Sequence, residues 1–193
     1  MKLLRFMLLS ACLAFPSFAG TIAQMQFISD DAGSGVFIFS VDGEYWNLFC
    51  HQFLPNATTL PYEANVATLA DLTGTVLQLQ GDPNALKKYQ QVAILDLYAL
   101  ANPSSAVDAV RASRRIIDGS GPLVPAAQAL FDWVQTQDPT KYDLSGFRIF
   151  TNLRTQEIGG FDPGFDLVDV PEPSAMVLLG SGLAGLLLLR RRR

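Results

Sequence analysis

The two greasiest parts of this chain are its ends, and that placement confines any globular fold to what lies between them. Residues 175–189 are fifteen consecutive uncharged positions, followed directly by Arg190, Arg191, Arg192 and Arg193. As a helix rising ~1.5 Å per residue this run would be about 22 Å long, short of the ~20 residues usual for a ~30 Å hydrocarbon core. Bilayer thinning or snorkelling by the four arginines accommodates the difference, so a transmembrane helix over 175–189 is expected. Arginine clusters stay in the cytoplasm, which predicts that the body of the protein lies on the far side. Gly180, Gly182 and Gly185 weaken a helix in water but are common in membrane helices, where small residues allow close contact with a partner.

The other end has the layout of a secretory signal peptide over residues 1–19. Lys2 and Arg5 precede an apolar run at residues 8–15, then come Pro16 and the small-x-small triplet Ser17-Phe18-Ala19, predicting cleavage between Ala19 and Gly20. Leu9-Ser10-Ala11-Cys12 also matches a lipobox, but Cys12 stands in mid-run, whereas a lipobox closes the apolar region. Cys12 is therefore expected to leave with the signal peptide. The mature chain then keeps only Cys50, which cannot form an internal disulfide, so stability outside the cytoplasm must come from the core.

Ahead of the C-terminal run stands Val170-Pro171-Glu172-Pro173-Ser174. Two prolines block both helix and sheet pairing, which keeps Glu172 extended at the membrane surface within reach of a processing enzyme. This segment, the glycine-containing apolar run and the arginine cluster, in that order and at the terminus, resemble the PEP-CTERM sorting signal of Gram-negative bacteria that produce exopolysaccharide. The resemblance covers about the last 24 residues. It implies recognition by an exosortase, a membrane-embedded cysteine protease or transpeptidase, with removal of the anchor near the Pro-Glu-Pro.

Residues 20–170 form the exported part. Their 17 acidic and 8 basic side chains give a net charge of −9, which argues against nucleic-acid binding and against simple electrostatic adhesion to phosphate surfaces. The length suffices to bury a sizeable core. Residues 36–41 are β-prone, Asp42-Gly43 is a strong hairpin signal, and residues 44–53 read as the return strand. On that strand Trp46, Leu48 and Cys50 face one way, and Tyr45, Phe49, His51 and Phe53 the other, so Cys50 and His51 should not form a thiol-imidazole pair.

A Pro-, Asn- and Thr-rich linker at residues 55–65 precedes helices. Asp82-Pro83 reads as a cap and N1 proline, with Leu86, Tyr89, Ala93, Leu97 and Leu100 as an apolar stripe ending before Asn102-Pro103. Ser105 with Asp108 signals a second helix that stops near Asp118-Gly119. A third follows Pro122, with Leu123, Ala126, Ala127, Leu130, Trp133 and Val134 on one face. Phe147, Ile149, Thr151 and Leu153 then alternate with Arg148, Phe150 and Asn152, and residues 164–170 read as a last strand. The expectation is an α+β domain: an antiparallel β-sheet with a helical insert of about three helices, flanked by a signal helix and a transmembrane helix. Its segments are the signal peptide (1–19), the exported domain (20–170) and the sorting signal (171–193).

Few groups suit catalysis. His51 is the single histidine, which excludes a histidine-rich zinc site and leaves a nucleophile-histidine triad no other base. Asp162, Asp166 and Asp169 cluster without calcium-loop spacing and read as solvated charges. No glycine-rich phosphate loop follows a strand. Asn56-Ala57-Thr58 matches the glycosylation sequon. Cys50 is either a buried small hydrophobe or a reactive thiol. Trp46-Asn47-Leu48-Phe49-Cys50, then helices, then Tyr142-Asp143-Leu144-Ser145-Gly146-Phe147-Arg148-Ile149, is similar to PEP-CTERM proteins with a Phe-Cys motif and to bacterial thioester adhesin domains. That resemblance implies a bond between the cysteine sulfur and a glutamine that precedes Ala-Ile-Trp on a helix. The corresponding stretch here, Val110-Arg111-Ala112-Ser113-Arg114, lacks the glutamine and tryptophan, leaving Gln90 or Gln91 as substitutes.

The expected protein is thus an exported surface or extracellular-matrix protein, not an enzyme, with a binding or structural ectodomain. Signal peptidase and exosortase are its processing partners, the membrane a transient anchor, and exopolysaccharide a further partner class. No metal, cofactor or nucleic acid is expected. The alternative is a thioester-type covalent adhesin using Cys50, and a carboxylate-only glycosidase is a third reading.

Overall fold

In the computed structural model the described residues are 21–30, 36–52, 60–119, 123–152 and 156–165. Chain order is β1 (Thr21–Asp30), β2 (Val36–Val41), β3 (Glu44–Cys50), β4 (Tyr62–Thr68), α1 (Val76–Leu79), α2 (Ala85–Ala101), α3 (Ala106–Asp118), α4 (Pro125–Gln135), β5 (Phe147–Asn152) and β6 (Gln156–Phe161). The class is α+β, as expected, but the sheet is a closed antiparallel barrel in the order β1-β2-β3-β6-β5-β4, with β4 pairing back onto β1. Among the described residues all four α-helices fall between β4 and β5.

Alternation on the strands sorts the apolar residues into two cores. Ala23, Met25, Phe39, Val41, Leu48, Cys50, Ala64, Phe150 and Ile158, drawn from all six strands, fill the barrel. Trp46 meets Phe150 edge-on at 5.3 Å beside them. The second core lies outside the barrel wall, where Phe49, Ala67, Phe147, Ile149 and Phe161 face α2, α3 and α4. Helix α2 is the middle layer. Every residue from Gln91 to Leu97 is buried, because one side of α2 meets the barrel and the other meets the neighbouring helices.

The predicted hairpin is present. Asp42 (φ 50°) and Gly43 (φ 92°) both take positive φ, the requirement of a type I′ turn whose twist matches its strands. Residue-level differences have local causes. Strand β4 begins inside the expected linker and takes its last four residues, 62–65, and β1 is an addition to the expected strands, with Ala23, Met25 and Phe27 alternating inward. The last described strand is Gln156–Phe161, and a turn at Asp162–Phe165 ends it; of the strand expected over 164–170, residues 166–170 lie outside the described residues. Leu86 is 46% exposed, since the core side of α2 begins at Ala85 and Tyr89. Helix α4 starts with Pro125 at its first turn, where a missing N–H costs nothing. Ser105 makes no side-chain cap, and Asp108 instead pairs with Arg111. Helix α3 does end as predicted, on Gly119 in the left-handed conformation.

Among the described residues no helix is long and apolar enough to cross a membrane. The expected signal and transmembrane helices, the Ala19–Gly20 cleavage position, the Val170–Ser174 segment, the arginine cluster, the sequon, Phe53, Asp166 and Asp169 lie outside the described residues.

Candidate functional site

The chemistry-bearing side chains of the fold collect in a buried seam between the barrel wall and α2. It is built on the β3-β6 ladder, which pairs Cys50 with Ile158 and continues as the His51 N–H donates to the Glu157 carbonyl at 3.1 Å. Opposed residues share a face, so His51 and Glu157 both point out of the barrel toward the helices while Cys50 and Ile158 point in. The structure therefore separates Cys50 from His51 as the strand period requires.

His51 Nε2 lies 2.8 Å from Asp96 Oδ2 of α2, with the two side chains 0% and 1% exposed. Burial pushes the Asp96 carboxyl up to about 6, and the neighbouring imidazole opposes that rise. His51 Nδ1 and Asp96 Oδ1 have no hydrogen-bond partner among the described residues. The imidazole fits because residue 159 is glycine: a Cβ there would stand 2.3 Å from His51 Cε1 and 3.0 Å from the Arg148 carbonyl oxygen. Phe147 stacks against the ring at 6.0 Å.

The second half of the seam centres on Glu157. Its carboxylate accepts from the Tyr89 hydroxyl (2.8 Å), the Thr151 hydroxyl (2.9 Å) and the Val76 N–H (2.8 Å), which opens α1. Tyr89 in turn accepts from the Leu77 N–H. Burial first, then the Glu157 charge, pushes the Tyr89 phenol far above its ordinary range, so it serves as a neutral donor. The seam is closed to solvent, and its geometry suits joining barrel to helices. Sequence reasoning singled out His51 but missed Asp96, Glu157 and Tyr89. The available signal was Asp96 itself, a lone carboxylate inside the apolar run Val92–Ala99, since carboxylates are rarely fully buried without a partner.

Cys50 sits inside the barrel, 4% exposed, its thiol donating to the Gln52 carbonyl at 2.9 Å. Helix α3 does approach it, and the residue that meets it is Arg114, whose Nε donates to the Cys50 carbonyl at 3.3 Å. The two glutamines lie elsewhere. Gln91 exchanges amide hydrogen bonds with Gln135 of α4, and Gln90 lines a cleft with Tyr142 and Thr140. Asp162 is tied to Arg148 at 2.6 Å. Among the described residues no group of His, Cys, Asp and Glu could hold a metal ion.

Fold and site together define an α+β protein in which a closed six-stranded barrel is joined to a helical cover through a buried polar seam. The family described as "PEP-CTERM protein-sorting motif" matches residues 169–193, so that segment of the chain carries the sorting motif. The motif implies export, transient membrane anchoring and processing by an exosortase. No curated protein and no solved structure matches the chain.

Proposed function

We propose that this chain is an exosortase substrate whose barrel domain is delivered to the cell surface or extracellular matrix, where it acts by binding or by building structure, without catalysis. The observation that carries the reading is the sorting motif at residues 169–193, which combines a processing corner, a short apolar run and an arginine stop. The seam supports the non-catalytic part. Its histidine and two carboxylates are fully buried and engaged between elements, whereas a general acid or base must reach substrate. A signal peptidase acting between Ala19 and Gly20 and an exosortase acting near Pro171-Glu172-Pro173 would release the acidic domain from its greasy ends.

Deleting residues 171–193 tests this in the native host. The tailless protein should change its distribution between membrane, surface and medium, and unchanged fractionation would refute tail-dependent sorting.

A further inference from the structure

We propose that the cleft between α2 and the segment leading into β5 is a binding site for a neutral saccharide. This deepens the binding reading above by naming a ligand class. The cleft has a volume of about 470 Å³, within the size range of small-molecule sites. One wall is Tyr142, Leu144 and Pro139, and Leu69 stands in the wall that follows β4. Tyr142 is part-buried and its hydroxyl is fixed by donation to Gln137 at 2.7 Å, so the ring is held as a platform.

The polar lining selects the ligand's charge. Gln90 projects from α2 into the cleft, and its carboxamide has no hydrogen-bond partner among the described residues. Thr140 and Ser145 supply uncharged polar groups at the rim. The single charged residue of the lining is Arg148, and its guanidinium is already spent on Asp162 and the Ser145 carbonyl. An amide that both donates and accepts, beside an ordered aromatic face, matches a sugar ring, which offers hydroxyls at its edge and C–H groups on its face. An anion would find no available cation here and would meet a domain of net charge −9. The cleft between α2, α3 and α4 is the contrast: it holds Lys87, Lys88 and Arg115, with Lys88 bound to Asp82 at 2.7 Å.

The test is titration of the full chain, in a zwitterionic detergent free of sugar, with neutral tetrasaccharides of glucose, mannose and galactose, an oligouronate and a proline-rich peptide. At least one neutral saccharide should bind, and its binding should perturb amide resonances at residues 68–70, 90 and 139–145. Gln90→Ala and Tyr142→Ala should each weaken it about tenfold, and Tyr142→Phe, which keeps the aromatic face and loses only the bond that fixes it to Gln137, should weaken it only about twofold. Thermal unfolding of each variant separates lost binding from lost fold, and resonance mapping needs no variant at all. The site is overturned if no neutral saccharide binds, if the oligouronate or peptide binds in its place, or if the perturbed amides lie elsewhere. An exported, processed chain that binds no saccharide sinks this site alone, whereas a saccharide-binding chain indifferent to its tail sinks the sorting reading alone.

Discussion

At the residue scale, the joint between barrel and helices depends on one absent side chain. Gly159→Ala would drive a methyl into the His51 ring and toward a backbone carbonyl that cannot yield. Overpacking of this kind costs typically 1–3 kcal/mol, so Gly159→Ala should lose about 3 kcal/mol in denaturant unfolding. The buried Asp96 carboxyl makes a second, pH-resolved prediction. Asp96 has a folded pKa of about 6 against an ordinary 3.8, so in that window the folded state binds more protons than the unfolded one. Stability therefore rises as pH falls through the window. Relative to Asp96→Asn, the wild-type chain should gain stability between about pH 6 and pH 4. A wild-type-minus-variant difference that stays flat over that range would show that Asp96 does not titrate as its burial dictates. None of this pairing was legible in the sequence. Asp96 and Glu157 stand 45 and 106 positions from His51, and separation along a chain carries no information about distance across a fold.

At the element scale, local rules worked where one short stretch contains its own cause. The Asp42-Gly43 turn was readable because two successive residues must adopt positive φ, and Asp and Gly tolerate it. Gly43→Ala should therefore destabilise by about 1 kcal/mol through backbone conformation alone, since the site leaves a Cβ in open space. Equal losses at Gly43 and Gly159 would contradict the distinction between conformational and packing roles. The end of α3 was readable for the same reason as the turn, because Gly119 takes the left-handed conformation that closes a helix. Strand β4 was hidden because its alanines have weak β propensity, and only pairing on both sides, with β1 and β5, makes it a strand. The exposed Leu86 fails for a related reason: a 3.6-residue stripe gives a helix face, but the partner decides how far that face extends.

At the scale of the whole molecule, ring closure is the property that matters most, since Cys50 is the single cysteine among the described residues and no disulfide braces them. Pairing β4 onto β1 leaves no strand of the barrel with an open edge, which removes the template for edge-to-edge association. Closure also places Cys50 in the interior, and intact-mass analysis of the protein recovered from its host tests that placement together with processing. An unmodified Cys50 side chain of full mass and both cleaved termini are expected. A mass deficit of about 17 Da, the ammonia lost when a thioester forms from a cysteine and an amide, would instead establish the adhesin reading. The sequence by itself determined the partition into greasy ends and an acidic middle, the sorting signal, the hairpin and the helical insert, because each is written in a contiguous stretch of composition or period. Only the tertiary structure decided that the sheet closes, that His51 meets Asp96 over a glycine, and that Gln90 opens onto a cleft with Tyr142. Those facts depend on which surfaces meet, and packing selects such meetings among segments that carry no mark of one another.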